Sequence, residues 1–180
     1  MSVSQEEELL STKEYAYEFY KDLNQKNKLL LLVARVQKYS KELARVEQVS
    51  EFLVELSAIL HKIGLSKGPE NYEISSYELA QKQISKLNLG AVEKQIILTS
   101  IIRHNSTKKY ERESVEEKIL RSACVLAEIF DPEWEKIDFS KVPKDYLLAH
   151  LESFEKRLCI EHAQDLAKER LSLMKGFLEK

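Results

Sequence analysis

Four glycines and three prolines in 180 residues leave long stretches in which nothing interrupts a helix. Those stretches carry apolar residues at helical spacing. Between Val49 and Ile63 the residues Val49, Phe52, Leu53, Leu56, Ile59, Leu60 and Ile63 form one apolar stripe. Leu29, Leu32, Val33, Val36, Leu43 and Val46 form another within 28–46, and a third pattern runs from Ile74 to Leu87. It breaks at Asn88-Leu-Gly90 and resumes to Arg103. Ser114 with Glu117 is a capping-box pair ahead of Val115, Ile119, Leu120, Ala123, Leu126, Ala127 and Phe130. Gly64, just past its stripe, is read as a left-handed helix cap. Asp131-Pro132 closes the helix before it, an irregular connection leads to Pro143, and helices over 144–156 and 158–178 follow. With an N-terminal helix over 11–23 the count is about eight. No repeat, low-complexity tract or strand pattern competes, so the expected fold class is all-α.

Composition narrows the function classes. Hydrophobic residues at 43% and charged residues at 32% describe a folding chain rather than a disordered one. Twenty-eight basic against 30 acidic residues give a net charge of −2, so no overall basic surface points to nucleic acid. The longest purely apolar run, Leu29 to Ala34, is far short of the ~20 residues that span a bilayer. The acidic start, with Glu6, Glu7 and Glu8, is unlike a signal peptide. Two cysteines, Cys124 and Cys159, make no disulfide framework, and the expected location is the cytoplasm. One domain over 1–180 is expected, with a core over 28–131 and a helical extension over 143–180.

Glycine-rich phosphate loops, CxxC pairs, GxSxG and HExxH are all absent. Four histidines remain: His61, His104, His150 and His162. His61 closes a helix in Ser57-Ala-Ile-Leu-His-Lys-Ile-Gly64, and His104 closes another in Ser100-Ile-Ile-Arg-His-Asn105. A histidine there can bind a ligand, or simply cap free carbonyls and complement the helix dipole. Cys159 and His162 have CxxH spacing, with His150 one helix earlier, but without a second pair they read as a core cysteine and a surface histidine. Ser122 and Cys124 lie on an apolar helix with no activating base in sight and read as core.

These strings, with Asn71-Tyr-Glu-Ile-Ser-Ser-Tyr-Glu-Leu-Ala80 between them and Glu117-Lys-Ile-Leu-Arg-Ser-Ala-Cys-Val-Leu-Ala127 after them, resemble the HD superfamily of all-α metal-dependent phosphohydrolases. That family reads LLHDIG, then HxExSxxLA, then RHH or RYH, then ILRDADxLD. The resemblance covers Leu29 to Phe130 and implies an HD-type helical bundle, here with two further C-terminal helices.

Family members hold a metal with an early histidine, the His-Asp pair and a later aspartate. The resemblance places Leu32, His61-Lys62 and Ser122 at those positions, so His61 alone survives. A protonated lysine cannot ligate and repels a divalent cation. Asn71 and Asn105 stand where some relatives carry further histidines. No catalytic residue, metal or cofactor is therefore expected. The run His61 to Lys108 is also similar to the C-terminal HD-like domain of exopolyphosphatase/guanosine pentaphosphate phosphohydrolase proteins, which supports polyphosphate binding rather than catalysis.

The expected function is thus a catalytically silent domain binding a phosphorylated ligand, of nucleotide or polyphosphate type, or a partner protein. Its expected ligand-binding residues are His61, Lys62, Arg103 and His104, with Lys67 and Lys108 as further cations, because arginine and lysine suit phosphate. Lys62 also reads as an ordinary solvated lysine, and Arg103 as a cation favoured by the helix dipole. Two other readings stand beside this one. A phosphohydrolase could rebuild its metal site from Glu55, Glu73 and Glu78. A structural module could dimerise or bind a partner through the C-terminal stripe Ala163, Leu166, Ala167, Leu171, Met174 and Leu178.

Overall fold

The apolar stripes close on one another in the computed structural model of the chain, which describes residues 2–138 and 141–179. The helices are α1 (Val3–Tyr20), α2 (Lys26–Val46), α3 (Glu51–Leu60), α4 (Tyr72–Ile84), α5 (Ala91–Arg103), α6 (Val115–Ile129), α7 (Pro132–Glu135), α8 (Lys144–Arg157) and α9 (Glu161–Leu178). A 3-10 turn, Ile63–Lys67, joins α3 to α4. No strand occurs among the described residues, and the fold class is all-α as the periodicity requires.

α3 and α6 are the central helices. Every residue from Phe52 to Leu60 is buried, because α1, α2, α5 and α6 all pack around α3. α6 is buried through Ile119–Ala127 between α2, α5 and the C-terminal pair α8 and α9. Each fully buried Leu or Ile contributes roughly 1.5–3 kcal/mol. Two apolar clusters result. One gathers Val36, Leu43, Val54, Leu120 and Leu126 with Leu147, Leu151 and Phe154 of α8. The other gathers Leu9 and Tyr20 with Leu56, Ile59, Ile84, Ile97 and Ile101.

The structure departs from the sequence reading in four places. α1 begins at Val3, eight residues before the expected start at Ser11, because Ser2 and Gln5 form a reciprocal capping box. The connection after Asp131 is not wholly irregular, since α7 opens on Pro132. Gly64 is not a left-handed cap: the positive-φ glycine is Gly68, at 124°. Gly64 is needed for close approach instead, because a Cβ there would collide with the backbone of Tyr72 and Ser76. Its N–H donates to Ser76 Oγ at 2.9 Å, which clamps the start of α4 onto the 3-10 turn. Finally, the C-terminal stripe is spent inside the chain. Ala163, Ala167 and Met174 are buried, and Leu166, Leu171 and Leu178 pack on the same apolar cluster.

No described helix is long and apolar enough to cross a membrane.

Candidate functional site

Two helix ends converge in the interior. Leu60 ends α3 and Arg103 ends α5, so His61 and His104 sit at the C-caps, where backbone carbonyls lack intrahelical partners. Each histidine satisfies one of them through Nδ1, which donates to the carbonyl of Ala58 at 2.7 Å and of Ile101 at 2.7 Å respectively. Both rings are thereby oriented with Nε2 facing away from the helix end. They meet edge to face with centroids 4.9 Å apart. Both side chains are buried.

α6 brings the third member. A ring nitrogen of each histidine and Sγ of Cys124 all lie within 4.8 Å of one another. His104 Nε2 accepts from the Tyr72 hydroxyl at 3.0 Å, whereas His61 Nε2 is buried without a hydrogen-bond partner. Tyr72, half-buried at the start of α4, forms the outer wall. Lys62 Nζ donates to the same hydroxyl at 3.2 Å and lies 5.0 Å from the ring centroid. Asn105 Nδ2 donates to it as well.

This environment keeps the cluster neutral. Burial, helped by the Lys62 and Arg157 cations, holds the His61 imidazole down to about 3, against a smaller opposing effect of the Ala58 carbonyl. Burial does the same to His104, which lies well below the ordinary value, with His61, Lys62 and Arg157 adding to it. The Cys124 thiol is pushed up to about 12, again by burial, although Arg157 and Lys62 pull the other way. Burial raises the Tyr72 phenol too.

Of the four expected ligand-binding residues, the structure brings His61, Lys62 and His104 together. It sends Arg103 elsewhere: Nη1 donates to Glu117 Oε2 at 3.0 Å, and the guanidinium lies 4.1 Å from the Tyr110 ring centroid. Lys67 faces Glu78 at 3.5 Å, and Lys108 is engaged through its backbone with Arg121 and Ser106. The three glutamates considered for a rebuilt site are dispersed. Glu55 is buried between Lys13 and Lys41 at 3.3 Å each, Glu73 accepts from Asn105, and Glu78 is exposed. Cys159 and His162 share no three-donor group among the described residues. His162 lies 3.7 Å from Glu42, and Cys159 Sγ lies 3.7 Å from Arg121.

The residues that the resemblance sets at the HD metal positions are engaged elsewhere, offer no donor or bring a positive charge. At the position that the resemblance gives to the later aspartate, Ser122 is committed to the α8–α9 junction. Its hydroxyl accepts from Cys159 N–H at 2.9 Å and reaches the Arg157 carbonyl at 3.4 Å. Leu32 offers no donor atom, and Lys62 brings a positive charge beside His61.

Sequence reasoning missed Cys124, Tyr72 and Arg157. Arg157 ends α8 and reaches Asn105 Oδ1 at 3.1 Å and Glu128 at 3.4 Å, so the extension closes over the cluster. A cleft of about 590 Å³ opens beside the junction of α2 with the 3-10 turn, lined by Lys28, Leu29, Leu32, Leu65, Pro69 and Asp131. That size lies in the range of small-molecule sites.

No known protein-family model matches the chain, and no curated protein does either. Among solved structures, the chain is similar to a predicted HD superfamily hydrolase from an uncultured Thermotogales bacterium. The TM-score is 0.68 at 19% identity, over 94% of this chain and 88% of that one. A likeness at this identity establishes the fold alone: the chain has an HD-type helical fold.

Proposed function

We propose that this chain is an HD-type domain that has lost metal-dependent phosphohydrolase chemistry and acts by binding a phosphorylated ligand of nucleotide or polyphosphate type. The observation that carries the first half is the commitment of Ser122 to the α8–α9 junction. A carboxylate cannot be supplied from that position, and Lys62 stands where the paired aspartate would be. The second half rests on Lys62. Among the described residues its ammonium has no carboxylate partner and is held only by the hydroxyl and ring of Tyr72. An anion arriving at this wall meets an available cation, while both N–H groups of Asn105 are already given to Tyr72 and Glu73. His61 and His104 support the wall as neutral rings, and Arg103 joins only by leaving Glu117. The kinship to the HD-like domain of exopolyphosphatase-type proteins belongs to this reading, as does a reducing, cytoplasmic setting in which both cysteines remain thiols.

The test is thermal unfolding against nucleotides, inorganic pyrophosphate and polyphosphate, since a ligand that binds only the folded state raises Tm by mass action. One class raises Tm of the wild type, and Lys62→Glu removes the rise while its far-UV circular dichroism stays native. Equal stabilisation of wild type and Lys62→Glu by the same ligand sinks the proposed site.

A further inference from the structure

We infer that His61, His104 and Cys124 form a closed site for one monovalent soft metal ion, Cu(I). The donor set shares only His61 with the metal set that the HD resemblance implies; it uses both histidines of the wall described above but does not require a phosphorylated ligand.

Three observations carry it. The donor atoms come from three helix positions far apart in sequence yet lie within 4.8 Å of one another, all buried. Both imidazoles have Nδ1–H donated to a backbone carbonyl, the arrangement by which metal-binding histidines are held in the tautomer that presents Nε2. And His61 Nε2 is a buried acceptor with no partner, an expensive arrangement that a bound ion would relieve. A three-coordinate ion with bonds of about 2.0 Å to nitrogen and about 2.3 Å to sulfur needs donor atoms roughly 3.5–3.7 Å apart. Closing from within 4.8 Å to that spacing requires the side chains to rotate, with His104 exchanging its Tyr72 hydrogen bond for the metal.

Charge and ligand softness select the ion. Binding displaces the Cys124 proton to solvent, so the site gains one thiolate and one metal ion. With Cu(I) the sum is zero; with Zn(II) a net positive charge is left beside Lys62 and Arg157 in a buried place. The thiolate is a soft donor suited to Cu(I) and imidazole accepts copper as well, whereas structural zinc asks for four ligands. Tyr72, Lys62 and Asn105 border the rings, Arg157 and Glu128 act on the Cys124 thiol through their charges, and no carboxylate oxygen joins the three-donor group among the described residues.

The experiment is anaerobic competition for Cu(I) against bicinchoninate, read by the loss of the chromophore's absorbance, on wild type, Cys124→Ser and Cys159→Ser. X-ray absorption of the loaded wild type reports the donors directly. The expected result is one equivalent bound by wild type and Cys159→Ser, at least tenfold weaker binding by Cys124→Ser with native circular dichroism, and a shell of one sulfur and two nitrogens. Should Cys124→Ser unfold, the absorption shell of the wild type decides alone. No Cu(I) retained by the wild type, binding lost with Cys159 instead, or a stable equivalent of Zn(II) in preference to Cu(I) would each overturn the assignment. Phosphate stabilisation and its loss in Lys62→Glu are read separately, so the two proposals fail separately.

Discussion

α6 carries two buried polar sites one turn apart, and they solve the cost of burial in opposite ways. Arg121, almost wholly buried, is ion-paired with Glu113 and also donates to the Lys108 carbonyl at 3.3 Å. Cys124, three residues on, has no counterion and is met by two uncharged imidazoles. The first site keeps its charges and pairs them, with only Arg121 Nε left without a partner; the second discards its charges and keeps a lone pair at His61 Nε2. What the first has left over is a donor beside a paired cation; what the second has left over is an acceptor lone pair, the kind of group a metal ion takes.

The largest expected effect breaks the paired site. Arg121→Leu leaves the Glu113 carboxylate buried without its cation and costs about 3–5 kcal/mol in urea unfolding. The double variant Arg121→Leu/Glu113→Leu recovers most of that loss, as paired burial allows. A single-variant cost under about 1 kcal/mol would show that water reaches the pair.

Acid distinguishes the neutral site next. Both histidines have folded-state pKa values below the unfolded value near 6.5, so their contribution is complete above that pH. As pH falls below about 6.5 the unfolded chain takes up protons that the fold refuses, and stability drops by up to about 1.4 kcal/mol per pH unit for each. For His61 the loss runs on towards about pH 3. Unfolding midpoints in urea between pH 7 and pH 5 check this; a flat profile contradicts neutral burial. Cys124 gives the alkaline mirror image, with stability lost as pH rises above about 9 and the unfolded thiol ionises.

Two smaller effects sharpen the contrast. Ser122 lies between the two sites, and Ser122→Ala, which strands the Cys159 N–H, lowers stability by about 1–2 kcal/mol in urea unfolding. Tyr72→Phe removes one hydrogen bond to His104 at the neutral site and costs about 0.5–1.5 kcal/mol, read from Tm.

The long helices were legible because a buried face repeats every 3.6 residues, and α2 through α6 follow their stripes to within a few residues. The start of α1 was missed although Ser2 and Gln5 have capping-box spacing, since the Glu6-Glu-Glu8 run hides any apolar stripe there. Gly64 was misread because a glycine needed for close approach and one needed for a turn look alike in sequence, and only the packing of α4 tells them apart. His61 and His104 could be singled out at helix ends. Cys124 could not, because a cysteine within Ala123, Val125 and Leu126 carries the pattern of a core residue. Its partners lie 63 and 20 residues away, and no local spacing links them. Arg157 was invisible for the same reason: its role depends on where α8 lands.

In the function proposed above, the HD-type frame persists without its hydrolytic chemistry. Phosphate release from a panel of nucleotides, pyrophosphate and polyphosphate, measured with Mg²⁺, Mn²⁺, Fe²⁺, Co²⁺ and Ni²⁺ supplied in turn, tests it most directly. The expected release is no faster than the protein-free blank with every ion. Turnover that depends on one of these ions, is abolished by a chelator and disappears in His61→Ala would contradict it.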